Sequence, residues 1–302
     1  MLVKNFLFHR VTDEHDPSWP PLTPALFEKI IKRLVKNNTV VSLENFLEHQ
    51  FDKKLSNRQP VSVSFDDGYK DNLEYAAPIL KKYNCQASFY IVTDCVNRNI
   101  PTWTYIVDRL LNTTAIQQVS FEADFVPEEM RKIEMHDKGK LVKVKPWMKS
   151  LGNNKRKEIL QAIMNQCNDV SIPRDKMMSW NEIDQLKKAG FHIGSHSHTH
   201  PMLASLDDET EIKQELTISS ETIKEKLGAD PMTISYPIGS YDDRVIRLSK
   251  SVGYKYGLAV EGKTFRYDVD DIMAIPRIEL YQEPWWKLKL RMSKVFQLIK
   301  TV

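Results

Sequence analysis

Short apolar runs alternate with longer amphipathic segments along most of the chain. The short runs are rich in β-branched and aromatic residues, as strands are, whereas the longer segments repeat apolar positions every three or four residues, as helices do. This alternation is typical of βαβ units around a parallel sheet. The predicted strands are residues 3–8, 61–65, 87–92, 191–195, 233–236, 256–260 and 274–280, and the predicted helices are 24–36, 72–83, 180–189, 207–227 and 242–251.

Residues 100–178 interrupt this alternation. Roughly 80 residues here separate two predicted strands that a βα unit would place much closer together. The segments 103–111, 127–135 and 155–167 have the apolar spacing of helices. We therefore predict a single domain over residues 1–302, with a helical cap inserted at 100–178.

Composition and charge exclude several classes of protein. The chain has 302 residues, of which 41% are hydrophobic and 27% are charged, and these values are ordinary for a folded globular domain. The longest uninterrupted apolar runs have four residues, far short of the roughly 20 that a membrane-spanning helix needs. The net charge of +3, from 43 basic and 40 acidic residues, is too balanced to indicate nucleic acid as a main partner.

The N-terminus and the cysteines bear on cellular location. The first apolar stretch contains Lys4 and is followed by no small-residue cleavage pattern, so we expect a cytoplasmic protein. Cys85, Cys95 and Cys167 form no Cys-x-x-Cys pair, which suits buried thiols in a reducing compartment.

Residues 284–302 are predicted to form a basic C-terminal helix. Positions 285–300 carry five basic and no acidic residues, with two tryptophans at their start. Two alternatives fit this pattern: peripheral contact with an anionic membrane, or a last helix that packs on the domain with its lysines outward.

Two carboxylates follow the strand predicted at 61–65. Alternation along this strand puts its valines and phenylalanine on one face, so Asp66 falls on the other face. In a closed α/β barrel that face points to the barrel axis, and Asp67 follows where the chain turns at Gly68. Both side chains could reach the same rim, although an Asp-Asp-Gly turn with solvated acids is the alternative.

The segment 191–201 holds four of the eight histidines of the protein. Strand alternation directs His196 inward, and a helical turn would place His200, four residues later, on the same side. Neutral imidazoles so arranged can share a divalent ion, whereas capping and turn histidines are the alternative. His192 and His198 are out of phase with this pair, and we expect them to be structural or exposed.

Asp67, His196 and His200 together would form a site of two histidines and one carboxylate, with open positions for water and substrate. Such a site suits one divalent transition metal ion, zinc in the first place, with iron, cobalt or nickel as alternatives. Asp66 would then be a base beside the metal.

Five sequence motifs of the chain resemble those of one known family. They are Ser-Phe-Asp-Asp-Gly at 64–68, His-Ser-His-Thr-His at 196–200, Tyr-Pro-Ile-Gly at 236–239, the opening Phe-Leu-Phe-His-Arg-Val with His9, and Ala-Ile-Pro-Arg-Ile at 274–278. The chain resembles the polysaccharide deacetylases of carbohydrate esterase family 4, the NodB-homology domain, in its Tyr-Pro-x-Gly branch. The similarity covers roughly residues 1–95 and 180–280 and implies a distorted (β/α)₇ barrel, in agreement with the strand pattern.

The resemblance also implies roles for individual residues. Asp66 would be the general base, while Asp67, His196 and His200 would bind the metal ion. The loop of Tyr236, Pro237 and Gly239 would line the substrate groove.

The sequence departs from the family pattern at two points. Many members have an arginine that orients the base, but Ser235 stands just before Tyr236 here; Arg277 is the candidate replacement, with a solvent-exposed salt bridge as the alternative. Many members also have a late histidine as general acid, but no histidine follows His200. His9 at the end of the first strand is the best candidate for the acid, and a structural histidine is its alternative.

The resemblance implies a metal-dependent hydrolase that removes an N-acyl group, in the first place N-acetyl, from an amino sugar or a lipid-linked saccharide precursor. A deformylase of a lipid-linked formamido sugar would need the same metal and base. A catalytically inactive carbohydrate-binding module is the third possibility, and retention of Asp66 counts against it.

Overall fold

The alternating pattern of the sequence becomes a curved sheet covered by helices. The computed structural model describes residues 1–16, 19–48 and 58–293. The strands are β1 (Leu2–Phe8), β2 (Thr39–Val40), β3 (Pro60–Phe65), β4 (Ser88–Ile91), β5 (Gln118–Ser120), β6 (Lys132–Glu134), β7 (His192–Ser195), β8 (Thr233–Ser235), β9 (Tyr256–Leu258), β10 (Phe265–Arg266) and β11 (Ile278–Glu279). The α-helices are α1 (Pro24–Asn37), α2 (Leu43–Leu47), α3 (Ala77–Lys82), α4 (Thr93–Arg98), α5 (Trp103–Thr113), α6 (Lys138–Ser150), α7 (Asn153–Gln166), α8 (Trp180–Lys188), α9 (Glu209–Leu227), α10 (Asp243–Val252) and α11 (Trp285–Met292).

Nine of the described strands form one sheet. Its order is β10-β1-β3-β4-β7-β8-β9, with β11 also paired to β1 and β2 to β3. All of these pairs are parallel except β1 with β10. Residues 275–280 connect the two sides of the sheet, because Ala259 N–H donates to the carbonyl of Ile275 at 2.9 Å and Leu280 N–H donates to the carbonyl of Leu7 at 3.0 Å. The predicted α/β fold, a distorted (β/α)₇ barrel, is confirmed.

Local sequence explains why the first helix forms and which face it buries. Thr23 caps α1 by accepting from the N–H of Leu26, and Pro24 fits the first turn because that position needs no N–H donor. The buried residues follow at helical spacing and pack on the outer face of the sheet, where the rings of Phe8 and Phe27 are 5.2 Å apart. This packing fixes the strand ends that carry the polar residues.

The inside of the barrel is polar. Ser62 donates to Asn5 at 2.7 Å, and Asn5 donates to the carbonyl of Pro276 at 3.1 Å. Glu44 is buried and accepts from the hydroxyls of Ser88 and Tyr90, both at 2.7 Å. The alternation that directs valines and phenylalanines under the helices therefore directs hydrogen-bonding groups to the axis.

Several predicted elements differ from the observed ones. The strands β2 and β10 were not predicted, and the strand predicted at 274–280 shortens to β11. The helix predicted at 72–83 is a π-helical turn, Asn72–Ala76, followed by α3. Pro78 has no N–H to donate to the preceding turn, which explains the irregular start of this helix.

The insertion is only partly helical. The helix predicted at 127–135 is wrong: a 3₁₀ turn, Glu128–Met130, leads into β6, which pairs antiparallel with β5. Val119 lies opposite Ile133, and both are fully buried among apolar residues of the insertion. Burial of these two side chains in the core of the insertion is a tertiary contact, and it overrides the local helical spacing. Helix α6, which contains Pro146, was not predicted.

The described part of the C-terminal segment packs on the barrel. Leu288 of α11 is fully buried in the main core, and Lys29 Nζ lies 4.4 Å from the centre of the Trp285 ring. Trp286 is 61% exposed. These contacts favour the packing alternative and give no support to membrane contact; residues 294–302 of the predicted helix lie outside the described residues.

Two further predictions concern membrane and thiols. Among the described helices, none is both long and apolar enough to cross a bilayer. Cys85, Cys95 and Cys167 are free cysteines, and their thiols are buried as predicted.

Candidate metal centre

Polar side chains from distant parts of the sequence meet at the carboxyl ends of the strands. Asp66 and Asp67 follow β3, and His196 follows β7. The N–H of Asp66 donates to the carbonyl of Phe8 at 3.1 Å, and the N–H of His196 donates to the carbonyl of Ile91 at 2.9 Å. Because these hydrogen bonds extend the parallel ladders, the side chains begin from fixed positions on one rim.

Asp67, His196 and His200 converge on one point. Asp67 Oδ1 lies 3.5 Å from His196 Nε2 and 3.4 Å from His200 Nε2. All three side chains are buried, and their candidate ligand atoms lie within 4.8 Å of one another. This oxygen of Asp67 is buried and has no hydrogen-bond partner, as a carboxylate oxygen that ligates a cation would. These residues could hold a metal ion.

The hydrogen bond of His196 and the lowered pKa of His200 suit a cation, whereas burial opposes the charge on Asp67. His196 Nδ1 lies 2.8 Å from the carbonyl oxygen of Ser235, which can only accept, so the proton is on Nδ1 and the lone pair of Nε2 faces Asp67. Burial, helped by the neighbouring His196, lowers the pKa of His200 well below its ordinary value. Burial also raises the pKa of Asp67, because a charged carboxylate is poorly solvated there. Two imidazoles and one carboxylate fit a divalent transition metal ion, whose charge would stabilise the buried carboxylate.

A strained loop, rather than a helical turn, brings the two histidines together. Residues 196–200 are not helical, which makes the predicted turn wrong, and the φ angles of Ser197 and His200 are 64° and 60°. Hydrogen bonds hold this loop: the N–H of His200 donates to Ser197 Oγ at 3.1 Å, and the N–H groups of His198 and Thr199 both donate to Glu215. Asp67 is also left-handed, with φ of 77°. Such strain is typical of functional sites.

The two other histidines of the segment lie outside the ligand set, as expected. His192 Nε2 is 3.5 Å from a carboxylate oxygen of Glu44, at the other end of β7. His198 Nδ1 is 2.9 Å from Thr93 Oγ1. His198 therefore has a hydrogen-bond partner, whereas His192 Nε2 is buried without one among the described residues.

Arg277 pairs with Asp66 inside the barrel. Its Nη1 and Nη2 atoms donate to the two carboxylate oxygens, each at 2.7 Å, and Ser235 Oγ donates to the same carboxylate at 3.0 Å. Arg277 is 0% exposed, so the alternative of a solvent-exposed salt bridge is wrong. Burial alone would raise the pKa of Asp66, but the guanidinium outweighs it and holds that pKa below its usual range.

A small cavity of about 180 Å³ opens over this cluster. His9 lies in its wall, with Nδ1 3.2 Å from Glu279 Oε1. The insertion supplies another part of the wall, including Lys145, which is paired with Asp108, and Lys149. The lining residues are Leu7, His9, Trp19, Asp66, Asp67, Thr104, Asp108, Lys145, Lys149, His196, His200, Ile238, Val260 and Glu279.

Sequence reasoning missed several of these residues. Glu279 could have been found, because it is two positions from Arg277 in an apolar strand and so shares its face. Nothing in the sequence pattern indicates Lys145 and Lys149, since their position depends on how the insertion folds over the barrel.

The Tyr-Pro-Ile-Gly loop differs from the expectation. Tyr236 is buried, and its hydroxyl donates to the carbonyl of Met273 at 2.9 Å, so this side chain does not line the cavity. Pro237 is also buried. Gly239 has φ of 71° and lies so close to Val260 that a Cβ added to this glycine would be only 3.1 Å from the Cβ of Val260. The residue of this loop that lines the cavity is Ile238, held at φ of 60°.

Comparisons with known proteins agree with these motifs. A sequence profile of the family described as Polysaccharide deacetylase matches residues 53–257. Chitin deacetylase 1 of Cryptococcus neoformans var. grubii is 38% identical over 65 residues, which are 22% of this chain and 14% of that protein. YxkH of Bacillus subtilis, named as a candidate polysaccharide deacetylase, is 21% identical over 237 residues, 78% of this chain and 57% of that protein. The chain therefore matches only part of the length of these relatives.

Solved structures show the same fold. The Streptococcus pyogenes deacetylase PplD, solved in complex with acetate, has a TM-score of 0.65 and 15% identity over 97% of this chain and 99% of that chain. At this identity the similarity concerns the fold, a distorted barrel of the NodB type.

The buried pair of Asp66 and Arg277 leads to a stability prediction. Arg277→Met should lower the free energy of unfolding by about 3–5 kcal/mol, because it leaves a carboxylate buried without its partner. The double variant Asp66→Asn/Arg277→Met should lose less, since the charge is removed as well. Urea unfolding of chelator-treated protein measures both values.

The exposed pair of Arg247 and Glu209 provides the matched control. Arg247→Met should change the free energy of unfolding little, because exposed ion pairs contribute little. Equal losses in the single and double variants at Arg277 would contradict the pairing argument.

Proposed function

The chain belongs to the polysaccharide deacetylase family, and from this premise we propose that it is a metal-dependent hydrolase that removes an N-acyl group from an amino sugar or a lipid-linked saccharide precursor. The acyl group we propose is acetyl. The proposal extends to this chain what the family profile matched over residues 53–257 describes. The proposed substrate is an N-acylated saccharide, and the cytoplasmic location stays a prediction from the N-terminal segment.

One observation carries this proposal: a second carboxylate stands beside the metal-binding group. Asp66 Oδ2 is 3.8 Å from His196 Nε2 and is oriented by Arg277. A purely structural metal site has no use for a further ionised carboxylate, which is costly to bury. The arrangement therefore supports a hydrolase over an inactive carbohydrate-binding module.

Asp67, His196 and His200 are the proposed metal ligands. A divalent ion held there, zinc in the first place and iron, cobalt or nickel otherwise, would polarise the acyl carbonyl and lower the pKa of a water molecule. The hydrogen bond from His196 to Ser235 keeps one imidazole in the tautomer that can ligate.

Asp66 is the proposed general base. Because its pKa is held below the usual range, the carboxylate is ionised at neutral pH and can accept the proton of the attacking water. Hydrogen bonds from Arg277 and Ser235 fix its orientation, and Arg277 is thus a positioning residue for the base. The proton can then pass from Asp66 to the leaving amine nitrogen.

The Tyr-Pro-Ile-Gly loop offers a donor for the charge that develops on the acyl oxygen. The N–H of Tyr236 donates to the carbonyl of Leu258 at 3.0 Å, and the N–H of Gly239 donates to the carbonyl of Tyr236 at 2.9 Å. Proline has no N–H. We therefore assign this role to the N–H of Ile238.

His9 is the proposed second proton donor. It lies in the cavity wall at the end of β1, and its contact with Glu279 at 3.2 Å would orient the ring and favour a proton on Nδ1. The opposite nitrogen is then directed away from Glu279 and is available to the substrate.

The metal assignment predicts a pattern of zinc binding. Asp67→Ala, His196→Ala and His200→Ala should each lose zinc binding in isothermal titration of chelator-treated protein, because each removes one of three ligands. His198→Ala is the matched control from the same loop and should bind like wild type. Zinc binding at wild-type strength by all three ligand variants would contradict the assignment.

The reaction itself predicts acid release. Metal-loaded protein should release acetate from at least one member of a panel of N-acetylated amino sugars and short oligosaccharides, and the N-formylated panel tests the deformylase alternative. Asp66→Asn should keep zinc and lose activity by roughly 10²- to 10⁴-fold, the usual effect of losing a general base. Release of neither acid, or an Asp66→Asn enzyme with near wild-type activity, would contradict the proposed mechanism.

The acid role of His9 gives a separate prediction. His9→Ala should fold and bind zinc, yet lose roughly 10²- to 10⁴-fold in kcat on the substrate identified above. The exposed His15 provides a control, and His15→Ala should retain full activity. A kcat within about threefold of wild type, well below the loss expected for a general acid, would leave both proton transfers to Asp66.

A further inference from the structure

A second, larger cavity of about 550 Å³ lies between the barrel and the insertion. This cavity adjoins the metal-centre cavity. Trp103 and Thr199 line the larger cavity, and the residues that follow them, Thr104 and His200, line the metal-centre cavity. Trp103 also donates its indole N–H to the carbonyl of His200 at 2.9 Å. The proposed hydrolase does not use this second cavity.

The wall of this cavity combines apolar and cationic side chains. Isoleucines, a leucine and a methionine from the insertion form an apolar part, which includes Ile106, Leu160 and Met164. The cationic part consists of Arg98, Arg156, Lys157 and Arg174, against Asp94 as the one lining carboxylate. Arg98 already pairs with Asp94 at 3.1 Å. No carboxylate of the cavity wall therefore remains to pair with Arg156, Lys157 and Arg174.

Arg156 is the most unusual of these groups. It is 3% exposed, and its Nη1 is buried without a hydrogen-bond partner. Nη2 donates to Asn153, and the guanidinium lies 5.1 Å from the centre of the Trp103 ring. Within residues 1–16, 19–48 and 58–293, no carboxylate is within 4.0 Å of this guanidinium, nor of the cationic groups of Lys157 and Arg174.

An unpaired buried cation lowers the stability of the fold unless a bound anion pairs with it. Burial lowers the pKa of Arg156 to about 10, with Glu215 opposing the shift, so the group still carries its charge at neutral pH. Burying a guanidinium with an unsatisfied N–H destabilises the fold. An anion in the cavity would supply the missing acceptor, and several cations around one group suit a phosphate ester, which carries more negative charge than a carboxylate.

We propose that this cavity binds a phosphate ester that carries an apolar chain. The phosphate group contacts Arg156 together with Lys157 and Arg174, and the chain lies along the apolar wall from the insertion. This site does not depend on the proposed hydrolysis, because its residues are distinct from Asp66, Asp67, His196 and His200.

Calorimetric titration of the metal-loaded protein tests the proposal with three probes: octyl phosphate below its micelle concentration, octyl glucoside and inorganic phosphate. Octyl phosphate should bind more tightly than either of the other two. Arg156→Met should weaken its binding by roughly 10- to 100-fold, as expected for the loss of charge-assisted hydrogen bonds. The same variant should keep or raise Tm, because it replaces an isolated buried charge with an apolar side chain of similar length.

Further variants separate the possible results. If Arg156→Met does not fold, the exposed pair Lys157→Gln/Arg174→Gln provides the test and should weaken octyl phosphate binding severalfold, whereas Lys155→Gln, on the same helix outside the cavity, should not. His200→Ala should lose zinc and keep octyl phosphate binding, which distinguishes this site from the metal centre. Equal binding of octyl glucoside or inorganic phosphate, no binding of octyl phosphate, or unchanged binding by the cavity variants would overturn the proposal.

Discussion

The buried ion pair between Arg277 and Asp66 is the interaction on which the rest of the site depends. A guanidinium with no exposed surface must be paired and hydrogen-bonded, and here the carboxylate of Asp66, Ser235 and the carbonyl of Ala259 satisfy it. The backbone around Arg277 also bonds to both β9 and β1. The same segment therefore closes the barrel and orients the carboxylate of Asp66.

Backbone strain is concentrated around the metal-centre cavity. Asp67, Ser197, His200 and Ile238 all have positive φ, a conformation that costs a non-glycine residue roughly 1–3 kcal/mol. Glu215 accepts hydrogen bonds from His198 and Thr199 and so holds the loop that contains Ser197 and His200. This strained backbone directs the side chains of Asp67 and His200 toward each other, with 3.4 Å between Oδ1 and Nε2. A bound cation would offset part of the free energy that the strain costs.

The insertion adds charged side chains to the cavity walls that the ends of the strands do not provide. Helices α5 and α6 bring Asp108, Lys145 and Lys149 to the wall of the metal-centre cavity. Helix α7 brings Arg156 to the second cavity, and Trp103 lies between the two. The candidate metal ligands lie on the barrel, whereas the insertion supplies further charged side chains of the cavity walls. Substrate preference is thus expected to depend on residues outside the family motifs.

The sequence by itself determined seven strands of the main sheet and three members of the rim. Alternation along a strand is local, and the carboxyl ends of parallel strands meet at one edge, so Asp66, Asp67 and His196 could be placed together from the printed residues alone. The motif spacing also indicated His200, although a strained loop and not a helical turn brings it there.

Only the tertiary structure decided the remaining features. The family resemblance suggested Arg277 as the arginine that orients Asp66, but these residues are 211 positions apart and no local pattern fixes their contact. Only the structure decided between this buried pair and a solvent-exposed salt bridge. The strand at 132–134 forms against β5 in place of the predicted helix, and Tyr236 points into the core while Ile238 faces the cavity. The physical reason is the same in each case: these orientations are set by which surfaces are buried together, and burial depends on residues remote in sequence.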